Sequence, residues 1–181
     1  MKYVLAAVCL ILVSVGVRAE TVQMNGITVS FELPKAVAGP PRTEPFVISK
    51  GSNGAQQTIQ IKFPGIVSAK YNFVATANLT IVSEPVPHGT ATQDYFLHYF
   101  GNLTKRIGNV VNADDDILQG GLPGKFDGLV KNNDGGPLMY DYISAAVYKD
   151  VGFLVVFEIT DDLYLFARPI AQEIIGSIKL K

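Results

Sequence analysis

The 181-residue sequence has no tryptophan, two histidines and one cysteine. That cysteine, Cys9, lies inside an N-terminal apolar run expected to be removed, which leaves the mature chain without a thiol. Disulfides, thiolate metal sites and cysteine nucleophiles are thereby excluded. The histidines, His88 and His98, lack the four-residue spacing that places two imidazoles on one helix face, and zinc asks for three or four ligands. His88 falls in a Pro/Gly link and reads as exposed; His98 reads as a surface or rim residue. No G-x-S-x-G, S-x-x-K or P-loop pattern occurs. A Ser–His–Asp site assembled in space is left open, although nothing in the sequence favours it. There is also no tract of five or more basic residues, so nucleic acid is a poor candidate partner, because phosphate binding draws on clustered Lys and Arg.

What is present begins with "MKYVLAAVCLILVSVGVRAE". Lys2 precedes an apolar run from Val4 to Val13, extended by small and apolar residues to Val17, and Val17 and Ala19 occupy the −3 and −1 positions of a small-residue cleavage site. This is the layout of a secretory signal peptide over residues 1–19, cut between Ala19 and Glu20. A transmembrane anchor fits less well, since Tyr3–Val17 falls short of the roughly 20 residues a bilayer span requires. Cleavage removes Lys2 and Arg18, leaving thirteen basic against sixteen acidic side chains, a net charge of −3. The expected product is residues 20–181, one domain, periplasmic or secreted, with no transmembrane segment after cleavage. A chain of this size buries roughly 70% of its surface on folding and needs no covalent staple.

Hydrophobic periodicity orders the rest. "NGITVSFELP" alternates Ile27, Val29, Phe31 and Leu33 against polar residues, a half-buried strand that Pro34 stops. A Pro/Gly-rich excursion follows over residues 35–55, in which only "FVIS" reads as strand. "TIQIKF" and the longer "FVATANLTIVSE" are further strands. Thr90 and Gln93 have capping-box spacing before a helix whose apolar stripe runs through Phe96, Tyr99, Phe100, Leu103, Ile107 and Val110/Val111. "KFDGLVK" is a short strand ended by "NNDGG". "LMYDYISAAVYKDVGFLVVFEIT" reads as two long strands turning at Lys149–Gly152, the second nearly all apolar and so central in a sheet. A final helix carries Leu163, Phe166/Ala167, Ile170, Ile174 and Ile178, with Thr160–Asp162 at its start. Pro169 either kinks it or marks the first turn of its main part. Strands, helix, strands, helix, with hairpins dominant, argue for an α+β domain whose mostly antiparallel sheet is covered by helices.

Three groups invite functional readings. The acidic stretch Asp114–Asp116 fits neither register of the calcium loop: started at Asn112, it places Ile117 where glycine belongs and Pro123 where glutamate belongs. A solvated turn outweighs a weak divalent-cation site. "NLT" occurs at Asn78 and Asn102, both inside expected regular elements, which favours chance over glycosylation. The aromatics Tyr95, Phe96, Tyr99, Phe100, Tyr140, Tyr142 and Tyr148 suit a ligand groove, but their helical and strand spacing favours core packing.

Read together, "NLTIVSEPV", the helix "TQDYFLHYFGNL", the turn "GGLPGKF", the hairpin "SAAVYKDVGFLVVFEI" and the ending "AQEIIGSIKL" resemble the PsbP-like families, which include the DcrB-like bacterial periplasmic proteins. A nuclear-transport factor that acts on the Ran GTPase shares their fold. "NGITVSFELPK" is similar to the family's first strand and proline exit, and the resemblance covers about 110 residues from Phe73 onward. It implies an α/β/α sandwich, an antiparallel sheet between helices, and a binding or assembly role rather than catalysis. Some photosynthetic members influence calcium and manganese retention, but no ligand residue carries over. The expectation is an exported, non-catalytic binding or assembly module of the cell envelope, whose partner is an envelope protein or a small apolar ligand. The alternative is a periplasmic carrier of a small apolar molecule or lipid. No catalytic, cofactor or metal residue is assigned.

Overall fold

The computed structural model describes residues 18–34, 46–63, 65–111, 120–132 and 136–181. In chain order the elements are β1 (Arg18–Met24), β2 (Ile27–Leu33), β3 (Val47–Asn53), β4 (Gln56–Lys62), β5 (Ile66–Ser68), β6 (Phe73–Ala75), β7 (Asn78–Pro85), α1 (Thr92–Ile107), β8 (Gly108–Val111), β9 (Phe126–Asn132), β10 (Met139–Tyr148), β11 (Val151–Thr160), α2 (Asp161–Gly176) and β12 (Lys179–Leu180). Seven strands form one sheet in the order β3-β4-β7-β11-β10-β9-β8; β1-β2-β12 form a second, and β5-β6 a separate ribbon. Every strand pairing among the described residues is antiparallel. The expected α+β class with a mostly antiparallel sheet therefore holds.

Period-two alternation splits the seven-stranded sheet into two unlike faces. On one face Ile59, Ile61, Leu79, Ile81, Phe153, Val155 and Phe157 join Met24, Val29 and Phe31 of the small sheet and the buried side of α2 in the larger core. On the other face Val130, Ile143, Ala145 and Leu154 meet Tyr95 and Phe96 of α1. The nearly all-apolar β11 lies between β7 and β10, the central place its composition demands. Glycine shapes the α1 face directly: a Cβ on Gly152 would lie 2.4 Å from the Tyr95 ring, and one on Gly128 2.1 Å from the Phe100 ring. The two rings rest in notches that only glycine leaves open.

Several local expectations are corrected. "NGITVSFELP" is the second strand, preceded by β1, and the two pair in full register across Asn25–Gly26. Both turn residues have positive φ, +48° and +80°, the geometry that makes Asn-Gly a strong hairpin signal. β1 takes in Arg18 and Ala19, the last two residues of the expected leader, which pair with Leu33 and Glu32. Residues 1–17 lie outside the described residues. The 35–55 excursion is strand from Val47 onward, because β3 pairs with β4 along its whole length; residues 35–45 lie outside the described residues. "FVATANLTIVSE" is not one strand. It breaks after Ala75, sending β6 to the ribbon with β5 and β7 to the sheet centre.

The helix boundaries also differ. Tyr95 N donates to Ala91 O at 3.1 Å, which makes Ala91 the residue at the helix mouth and puts Thr90 one position too early for a capping box. Thr90 Oγ1 donates instead to Pro87 O at 2.6 Å. Downstream, Gly108 breaks the helix and the "GNVV" segment becomes edge strand β8, where β-branched valines are at home. α2 runs through Pro169 without a break. Pro169 offers no amide donor to the Leu165 carbonyl one turn back, and both residues stand on the exposed side of the helix. Ile178 lies beyond the end of α2, and β12 pairs with β2. No helix among the described residues is long and apolar enough to cross a membrane.

Candidate functional site

Polar chemistry gathers at the end of the domain where the hairpin turns Asn25–Gly26 and Gly54–Ala55 meet. Asn25 N donates to Gln57 Oε1 at 2.8 Å, and its side-chain amide donates to Ser83 Oγ at 2.9 Å. These two bonds pin the small sheet to the large one. Beside them a groove of about 480 Å³ opens between β1 and the β3–β4 hairpin. Val22, Met24 and Ile59 line its apolar side; Lys50, Ser52 and Gln57 line its polar side. The pairing register explains this mixture. Lys50 is opposite Ile59 and Ser52 opposite Gln57, so all four share the face of β3–β4 that turns toward β1. Met24 and Ile59 are themselves core residues. Among the described residues Lys50 has neither a hydrogen bond nor an ion-pair partner.

Behind this end, on the α1 face, Tyr99 donates its hydroxyl proton to Glu84, and Gln56 Nε2 donates to the other carboxylate oxygen at 3.5 Å. Burial, reinforced by the charge of Glu84, pushes Tyr99 up to about 12. Burial pushes Tyr95 up further, again with Glu84 contributing. Both phenols therefore hold their protons at neutral pH, and neither serves as a base there.

A second polar cluster lies inside the larger core. Lys125 Nζ is 2.8 Å from Asp127 Oδ2, Tyr142 donates to Asp127 Oδ1 at 2.7 Å, and Lys125 also reaches the Tyr142 oxygen at 3.3 Å. Burial first, then the charge on Asp127, raises the Tyr142 pKa. Each carboxylate oxygen already has a donor, so the arrangement is closed. It fastens the "GGLPGK" turn where that turn enters β9. Gly121 approaches α2 so closely that a Cβ would lie 3.0 Å from the Ile175 carbonyl oxygen. The turn leads directly into β9.

The individual candidates resolve as follows. His88 Nδ1 is 3.1 Å from both Asp150 oxygens, but its side chain is 95% exposed and Asp150 stands on a surface turn. A histidine–carboxylate pair open to water on all sides has no cleft in which to act on a substrate. His98 is exposed, its ring edge-on to Tyr99 at 5.3 Å. Tyr95, Phe96 and Tyr142 are buried, and Tyr99, Phe100, Tyr140 and Tyr148 partly so, divided between the two faces of the sheet; they do not converge on one groove. Asn78 opens β7 and Asn102 is exposed on α1. Asp114–Asp116 lie outside the described residues, among which no group of three or more His, Asp or Glu side chains comes together. The groove residues were not singled out by motif. The one signal that pointed there is the Asn-Gly turn, whose flanking alternation makes Val22 and Met24 inward-facing.

No protein-family model and no curated protein sequence matches the chain. Among solved structures, it is similar to the crystal structure of LpqN, involved in cell envelope biogenesis of Mycobacterium tuberculosis. The TM-score is 0.53 at 11% sequence identity, and the likeness covers 91% of each chain. At that identity the likeness is one of fold.

Proposed function

We propose that the chain is an exported, non-catalytic binding or assembly module of the cell envelope, built on the PsbP/DcrB-like plan with its main sheet between helical layers. The observation that carries this reading is the fold-wide likeness to LpqN, a protein tied to envelope biogenesis. The N-terminal leader layout points to the same compartment. On this reading the Lys125–Asp127–Tyr142 cluster is an internal fastening and His88–Asp150 a surface pair. The test is cross-linking and pull-down of the tagged mature chain from its own envelope, with mass spectrometry of proteins and small molecules. A reproducible envelope protein partner is the expected outcome. A reproducible bound lipid with no protein partner would overturn it.

That second outcome belongs to the alternative, a carrier of a small apolar molecule or lipid. One observation favours it: the groove between β1 and β3–β4 has the volume of a small-molecule site and an apolar wall.

A further inference from the structure

The groove carries a charge asymmetry that narrows what it can take. Lys50 occupies the core-facing register of an edge strand, with Ile48 two residues before it on the same face and Ile59 directly across. A lysine in that position normally meets an acidic side chain or extends its stem to water. No carboxylate among the described residues pairs with Lys50. Glu84, at the same end of the sheet, sits with Gln56 on the opposite face and is already engaged by Tyr99 and Gln56. The groove thus has one apolar side and, among the described residues, one cation without a partner at its rim. Hydrogen-bonding groups stand beside that cation: the Ser52 hydroxyl, and the Gln57 amide, whose oxygen accepts from Asn25 N and whose NH₂ has no acceptor among the described residues.

We propose that this groove binds an anionic amphiphile, with the alkyl chain along Val22, Met24 and Ile59 and the carboxylate or phosphate on Lys50, Ser52 and Gln57. The proposal rests on the carrier reading of the groove and adds the class of ligand. An ionised headgroup gains charge-assisted hydrogen bonds that a neutral one does not. The apolar surface that leaves water is that of the alkyl chain itself and of the partly exposed Val22, because Met24 and Ile59 beneath it are already closed off. The competing account of Lys50 is an inward-pointing charge that keeps the β3 edge from pairing with other chains.

Substitution Lys50→Glu separates the two accounts, because it keeps a charge on the edge and reverses its sign. The measurement is calorimetric titration of the full chain with dodecanoate, dodecyl phosphate and the neutral dodecyl maltoside, all below their micellar concentrations. Amide NMR shifts locate the site. The expected result is movement of the amides of residues 22–24, 50–52 and 57–59, with both anions binding about tenfold tighter than the maltoside, the size of one charge-assisted contact. In Lys50→Glu that preference disappears while maltoside affinity is unchanged. Equal affinity for all three probes at the groove overturns the anion assignment and leaves the carrier reading standing. Amides that stay still with every probe overturn both. Dodecyl phosphate binding without dodecanoate binding makes the headgroup a phosphate, and the reverse makes it a carboxylate.

Discussion

Helices α1 and α2 are each sixteen residues long, yet the sheet holds them by different physical means. α2 buries an aliphatic stripe, with Leu163, Ala167, Ile170, Ala171, Ile174 and Ile175 all inside the larger core. Its first turn is gripped by the β5–β6 ribbon. Ser68 Oγ donates to Asp162 at 2.9 Å, Tyr71 donates its hydroxyl proton to Asp161 at 3.0 Å, and Lys70 Nζ is 2.6 Å from Asp161. α1 instead seats aromatic rings on bare backbone, Tyr95 on Gly152 and Phe100 on Gly128, with Phe96 and Phe100 stacked at 4.9 Å. Among the described residues its N-terminal turn is tied to the sheet by Val147 N donating to Thr92 Oγ1 at 3.1 Å. One helix is fixed by buried area and the other by shape. Area tolerates substitution in proportion to the volume lost, whereas shape fails at particular atoms.

The comparison can be broken most forcefully at α2. Ile174→Ala removes aliphatic volume from a fully buried site and is expected to cost about 3 kcal/mol, within the usual range for such truncations. Urea unfolding measures it. A cost below about 1 kcal/mol would mean that α2 is not held by buried area. Gly152→Ala comes next. The new methyl displaces the Tyr95 ring, and the expected loss is about 2 kcal/mol, typical of overpacking, with a weakened near-ultraviolet tyrosine signal. Wild-type stability in this variant would show that the ring does not need the notch.

The smallest effects are pH-dependent and opposite in direction for the two helices. Burial disfavours charge on Asp161, but hydrogen bonds from Lys70 and Tyr71 outweigh it and hold the carboxyl below its ordinary range. Asp162 behaves likewise, with the Ser68 hydroxyl as donor. Because these folded-state values are lowered, the stabilisation is complete above about pH 4, the unfolded value, and is lost as pH falls through the folded values. Tyr99 has the reverse linkage. Its raised value makes the stabilisation complete below about pH 10, the unfolded value. It is lost as pH rises toward the folded value of about 12. Thermal melts across pH should therefore show Asp161→Asn flattening the acid limb alone and Tyr99→Phe the alkaline limb alone. Either variant altering the opposite limb would contradict the assignment of anchors.

Much of this was legible in the residues themselves. Alternation at Ile27–Leu33 and Thr58–Phe63, the apolar run of β11 and the stripe of α2 each carry a period that one structure satisfies. What escaped was local competition. Thr90 and Gln93 have the spacing of a cap, but the Pro87–Thr90 turn claims the threonine hydroxyl first. "FVATANLTIV" has continuous strand propensity, yet β6 pairs with β5 while β7 enters the sheet, a partition no propensity encodes. β1 was hidden because Arg18 and Ala19 were absorbed into the leader pattern. The groove was invisible for a different reason: it is made by the register of β3 on β4 and the approach of β1 to them, with residues of no catalytic type.

The glycine notches have a consequence for how such a domain can change over evolutionary time. Tyr95 and Gly152 form one steric unit, and Phe100 and Gly128 another. A ring can be lost only if something refills the notch, and a side chain can enter the notch only after the ring has gone. Among relatives of this chain, aromatic residues at the helix positions should travel with glycine at the strand positions, and both should be replaced together.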